Sequence, residues 1–172
     1  MTRRILDAPE GTIDWVCHMP RARATVRIGD DHFEGLGYAE LLEMSVSPRK
    51  LPFQTLRWGR HLSPEHWLAW IELATGLERR WIWLDGVEQQ GAVLAECLPV
   101  LADGRRLCGE GGRDLWSHST IARMRGPMGR LLRRLAGPVA AMRERKRLAP
   151  GALLDGGRSS GRGWTVYEEV TW

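Results

Sequence analysis

Asparagine is absent from this 172-residue chain, its cations are nearly all arginine, and it has only three cysteines, two phenylalanines and two tyrosines. Cys17, Cys97 and Cys108 are odd in number and have no C-x-x-C spacing, which argues against a disulfide framework and a zinc site and for reduced thiols. No apolar run approaches the length of a membrane span, and Met1-Thr2-Arg3-Arg4 is not followed by a signal-peptide core, so a cytoplasmic protein is expected. His18, His32, His61, His66 and His118 show no metal-binding spacing, and no metal is expected. Gly35-x-Gly37 has no third glycine at position 40 and lies in a strand-like run, so it is not a dinucleotide fingerprint. Ser159-Ser160 lack the context of a nucleophile elbow. No cofactor is expected. The formal charge of +4 looks like GC-rich coding rather than selection for phosphate binding.

What the chain does have is tryptophan, nine of them, offering large flat apolar surface for a core or a pocket. It also has two misplaced acids. Successive side chains of a strand point to opposite faces, so Tyr38, Glu40, Leu42, Met44 and Val46 share one face. Near the end of the chain, Trp164, Val166, Glu168, Val170 and Trp172 share another. Glu40 and Glu168 thus both point inward. A carboxylate in an apolar interior must find a cation, accept hydrogen bonds or hold a proton.

Along the chain, residues 1–20 read as an N-terminal extension. Ala24–Ile28, a turn at Gly29-Asp30-Asp31 and a partner from about His32 to Val46 form a hairpin. Ser47-Pro48 and Leu51-Pro52 break the chain. Thr55–Leu62 is a strand with Leu56, Trp58, Arg60 and Leu62 on one face, making Arg60 a candidate inward cation and leaving Arg57 to solvent. His66–Leu73 and Arg79–Leu84 are aromatic strands joined at Thr75–Glu78. Trp81 and Trp83 share a face. Weaker strands flank Asp103-Gly104. Met128, Leu131, Leu132, Leu135, Val139 and Met142 then recur at helical spacing, predicting an amphipathic helical segment over 126–148. Residues 155–163 read as a flexible loop and Trp164–Trp172 as the last strand. Together these predict a single mainly β domain, an antiparallel lipocalin-like (calycin) barrel with one helical segment before its final strand.

Gly35-Leu36-Gly37-Tyr38-Ala39-Glu40, Leu56-Arg57-Trp58-Gly59-Arg60, Arg143-Glu144-Arg145-Lys146 and the closing Gly163-Trp164 through Glu168 to Trp172 resemble the C-terminal half of the carotenoid 1,2-hydratase (hydroxyneurosporene synthase)-like calycin family. The resemblance implies a lipocalin-like barrel, normally two in tandem, acting on or binding large isoprenoids and polyketides. This chain matches one barrel only, so a site between two barrels must be rebuilt by dimerisation or is missing. It carries Tyr167 where the family has histidine before the last glutamate, which departs from a histidine-dependent role.

Two chemistries compete. In one, Glu168 or Glu40 is an acid for hydration or cyclisation of a polyene, isoprenoid or polyketide, with Arg60 beside it and Tyr38, Trp58, Trp70, Trp81, Trp83, Trp164 and Tyr167 lining the ligand. In the other, Glu40 pairs with Arg60, Glu168 accepts Trp or backbone N–H groups, the tryptophans are core, and the protein is a carrier of an apolar ligand. The run Arg123, Arg125, Arg130, Arg133, Arg134, Arg143, Arg145, Lys146 and Arg147 reads as a solvated helix face, with peripheral membrane contact as the alternative. Nucleic acid is disfavoured because no aromatics interleave with it.

Overall fold

The computed structural model describes residues 1–119 and 142–172. Among the described residues, thirteen antiparallel strands form two sheets. The smaller sheet joins β1 (Thr2–Ala8), β2 (Gly11–Ile28) and β3 (Asp31–Met44) in sequence order. The larger contains β4 (Phe53–Leu62), β5 (Trp67–Gly76), β6 (Arg79–Leu84), β7 (Val87–Glu88), β8 (Val93–Ala95), β9 (Leu98–Val100), β10 (Arg106–Gly109), β11 (Arg113–Ser119), β12 (Arg143–Asp155) and β13 (Arg158–Thr171). Its order is β7-β6-β5-β4-β13-β12-β10-β9-β8, with β11 also on β12, and it curls into a half-barrel whose terminal strands β7 and β8 are not paired with each other. The strands from the last hairpin return beside β4, as Glu168 opposite Trp58 and Val166 opposite Arg60 show.

Both faces of the curled sheet are buried. On one, Leu62, Trp67, Ala69, Ile71, Trp81 and Trp83 pack against Ile5, Leu6, Ile13, Trp15 and Cys17 of the smaller sheet. Trp15 stacks on Trp83 with ring centroids 4.6 Å apart and planes at 23°. On the other, Leu68, Trp70, Ile82 and Leu84 meet Leu101, Leu107 and Leu153 as the sheet curls round. Gly59 is the hinge of that second packing. A Cβ there would run into the Trp70 indole, so the glycine of the L-R-W-G-R phrase makes room for the fully buried ring.

Three sequence expectations are corrected here. Residues 1–20 are no extension: Ile13, Trp15 and Cys17 alternate into the core. Of the predicted helix, 126–141 lie outside the described residues, while 143–148 belong to β12, which is paired on both edges. The residues from Met128 to Val139 that carry the helical spacing are among those not described, and only the extension of the segment over 143–148 is overturned, by the ladders on both edges of β12. The loop expected over 155–163 is a tight hairpin, because Gly156 and Gly157 take φ of 53° and 84°, the left-handed pair that matches strand twist in a two-residue turn. Among the described residues no helix is long and apolar enough to cross a membrane.

Candidate functional site

Alternation along β3, β4, β12 and β13 delivers Tyr38, Glu40, Trp58, Arg60, Lys146, Val166 and Glu168 to one cleft of about 110 Å³ between the two sheets. Glu40 and Glu168, 128 positions apart in sequence, therefore face the same space.

Glu40 forms an ion pair with Arg60 and accepts a 2.6 Å hydrogen bond from Trp15 Nε1. Arg60 is 3 % exposed and lies between two rings, its guanidinium carbon 5.1 Å from the Trp15 centroid and 5.6 Å from that of Tyr38. Its Nη1 also donates to the Gly59 carbonyl at 2.6 Å. Burial pushes the guanidinium down to about 10, which still leaves it charged at neutral pH.

Glu168, 5 % exposed, receives two donors on the same oxygen: Trp58 Nε1 at 2.8 Å and Lys146 Nζ at 2.8 Å. Lys146 also reaches Glu144, with Nζ 4.0 Å from Oε1. The hydrogen bond to Glu168 raises the Lys146 ammonium above its ordinary value. Glu144 is raised too, first by burial and then by the hydrogen bond and negative charge of Glu168, against the opposing pull of Lys146. The group biased towards holding a proton is thus Glu144, on the strand beside Glu168. The helical segment expected over 126–148 does not put Glu144 and Lys146 here; the β12 ladder does, setting them opposite Val170 and Glu168.

Next to this cleft lies a second, apolar cavity of about 150 Å³ lined by Ile5, Ile13, Leu42, Met44, Leu56 and Trp172 among others. It is built partly on the same strands as the cleft, with no lining residue in common. Leu42 and Met44 follow Glu40 on the same face of β3, and Leu56 precedes Trp58 on the same face of β4, so an apolar cavity lies along the strand faces that carry the charged groups.

The tryptophans expected to line a ligand are dispersed. Trp58 lines the cleft. Trp81 and Trp83 are buried in the core between the sheets, and Trp70 in the core on the opposite face. Trp164 is 58 % exposed. Tyr167 contributes to the wall of the cleft, but its hydroxyl lies on the face opposite Glu168, where Arg147 Nη1 donates to it at 3.1 Å. There it borders an open cavity of about 670 Å³ with Cys97, Cys108, Arg145, Arg147 and Glu169. Arg57, expected in solvent, is instead half-buried on this face. It donates to Glu169 at 2.6 Å and to Glu72 at 2.8 Å, and those bonds, the Glu169 one foremost, raise its pKa. Of the basic run, Arg143, Arg145, Lys146 and Arg147 are described; they lie on a strand, with Arg143, Arg145 and Arg147 on one face of β12 and Lys146 on the other, beside Glu168.

Among the described residues no group of three or more His, Cys, Asp or Glu side chains is arranged to hold a metal ion. The arrangement that is present has a carboxyl raised above its ordinary range, a second carboxylate served by two donors, an ammonium paired to it and a nearby apolar cavity. Those are the parts for moving a proton to and from an apolar molecule. Neither models of known protein families nor curated proteins give a match to this chain.

Proposed function

We propose that the protein is a cofactor-independent hydratase or cyclase of a polyene, isoprenoid or polyketide intermediate, a calycin of the carotenoid 1,2-hydratase-like kind that its motifs resemble. The observation that carries this reading is the meeting of Glu168, Lys146 and Glu144, the last with its carboxyl raised above the ordinary range by burial and by Glu168, near an apolar cavity. At about 110 and 150 Å³ the two cavities fall below the roughly 300–1,000 Å³ that encloses a drug-sized ligand. A long substrate therefore enters by one end, its remainder lying outside against exposed surface that includes Trp164.

In the hydratase form, Glu144 gives its proton to one carbon of a C=C bond, whose π electrons form the new C–H bond. Water adds to the neighbouring cationic carbon, and the proton it sheds goes to a carboxylate, Glu168 relaying it back to Glu144. Alkene and water become alcohol, and the enzyme is restored. The Trp58 ring at the cleft wall offers cation–π stabilisation on the order of 0.5–2 kcal/mol to the developing charge. In the cyclase form an internal double bond replaces water as nucleophile.

One observation favours the carrier reading: Glu40 and Glu168 are each matched by a cation, Arg60 and Lys146. Incubation with acyclic isoprenoid polyenes and product analysis separates the two. Turnover that disappears in Glu168→Gln while the circular dichroism spectrum is unchanged supports the enzyme. Saturable tryptophan quenching with the ligand recovered intact supports the carrier.

A further inference from the structure

The hairpin of β2 and β3 runs far beyond the small sheet, since β1 pairs with β2 only as far as Val16. From there to the tip the ribbon has two chemically different faces. In the β2–β3 register, Arg23 stands opposite Leu36, Thr25 opposite Glu34 and Arg27 opposite His32, on the side that continues from Glu40 and Tyr38. The other side reads Val16 opposite Leu41, Met19 opposite Ala39, Ala22 opposite Gly37, Ala24 opposite Gly35 and Val26 opposite Phe33, and ends at Ile28. No charge interrupts this stripe before Asp31. Its side chains are open to solvent, with Met19 51 %, Val26 48 %, Ile28 66 %, Phe33 53 % and Leu41 44 % exposed.

A two-stranded ribbon with one uncovered apolar face is marginal alone in water. We propose that this face is the interface with a second copy of the same chain, the two arms packing back to back and antiparallel about a two-fold axis near Gly35 and Ala24. The shape is self-complementary. Large residues, Val26 and Phe33, adjoin a flat saddle made by Ala22, Ala24, Gly35 and Gly37, and open space lies where a Gly35 side chain would be. The two-fold sets Phe33 of one copy on Gly37 of the other, Val26 on Ala22 and Ile28 on Met19, with each contact made twice. The stripe offers on the order of 700 Å² per copy, close to the roughly 800 Å² per partner of a standard interface. A lipid surface fits less well, because Asp30 and Asp31 at the tip would meet anionic headgroups first. The inference is independent of the chemistry proposed for the cleft.

Sedimentation equilibrium on the whole chain tests it. The expected result is a reversible monomer–dimer equilibrium in the micromolar range, with Phe33→Ser and Gly35→Leu each weakening dimerisation at least tenfold. Gly35→Leu adds volume where nothing is within 4 Å, so it blocks the saddle without disturbing the monomer. Leu36→Ser, on the charged face of the same arm, leaves the constant unchanged. Far-ultraviolet circular dichroism checks that each variant is folded. A chain that stays monomeric at 200 μM, a Gly35→Leu dimer as tight as the parent, or equal weakening by Leu36→Ser overturns the proposal. So does a monomer that binds vesicles of anionic phospholipid through Phe33.

Discussion

Lys146 and Glu168 stand directly opposite each other on neighbouring strands, and the ammonium lies 2.8 Å from the carboxylate oxygen that Trp58 also serves. Because Lys146 holds Glu144 down as well as pairing with Glu168, its removal reaches the acid itself. In Lys146→Met the Glu144 pKa rises further. An acid must be protonated to work, so the limb of the pH–rate profile where activity falls at high pH moves to higher pH. A limb that stays in place identifies a different acid.

Arg60 and Glu40 make a second test, of stability. Arg60→Met leaves the Glu40 carboxylate unpaired among Trp15 and Tyr38, and loss of one partner of a buried pair costs about 3–5 kcal/mol. The double variant Arg60→Met with Glu40→Leu removes both charges and recovers most of that loss. Urea midpoints of the two variants give the comparison directly.

His61 titrates the fold. Its ring is fully buried, Nδ1 lies 3.0 Å from the Thr165 hydroxyl, and burial pushes it down to about 4 from 6.5. The folded protein therefore prefers the neutral ring. That preference contributes fully above pH 6.5, and it is lost as pH falls from 6.5 towards 4, because the unfolded chain takes up the proton first. The loss is about 3 kcal/mol across that window. His61→Gln flattens the stability profile between those values, which denaturant unfolding at several pH values measures.

Gly59→Ala forces a methyl group into the Trp70 ring. Overpacking of this kind costs about 1–3 kcal/mol, and Gly59→Ala combined with Trp70→Leu regains part of it. Calorimetric midpoints decide whether the pair is coupled; simple additivity would mean that the glycine matters for another reason.

The acids were legible in the sequence because alternation is a strict geometric rule. Tyr38, Glu40 and Leu42 on one strand, and Val166, Glu168 and Val170 on another, could only share a face, and Arg60 followed by the same parity. The small sheet is equally legible in Ile13, Trp15 and Cys17, whose alternation marks the core-facing side of a strand. Arg57 was placed on the correct face and yet misjudged, because alternation does not say that the reverse side of a curled sheet is also interior. Glu144 and Lys146 were obscured by cationic residues continuous with a helical repeat upstream. The clue to their strand was Gly156-Gly157, a two-residue turn that demands extended chain on both sides.

The Trp15–Trp83 stack places one indole on each sheet, face to face. Such coupled chromophores split their ultraviolet transitions, so the protein carries an internal optical gauge of whether its two layers are joined. If a guest wedged the layers apart, that split signal would fade, while the backbone bands of each layer stayed as they were.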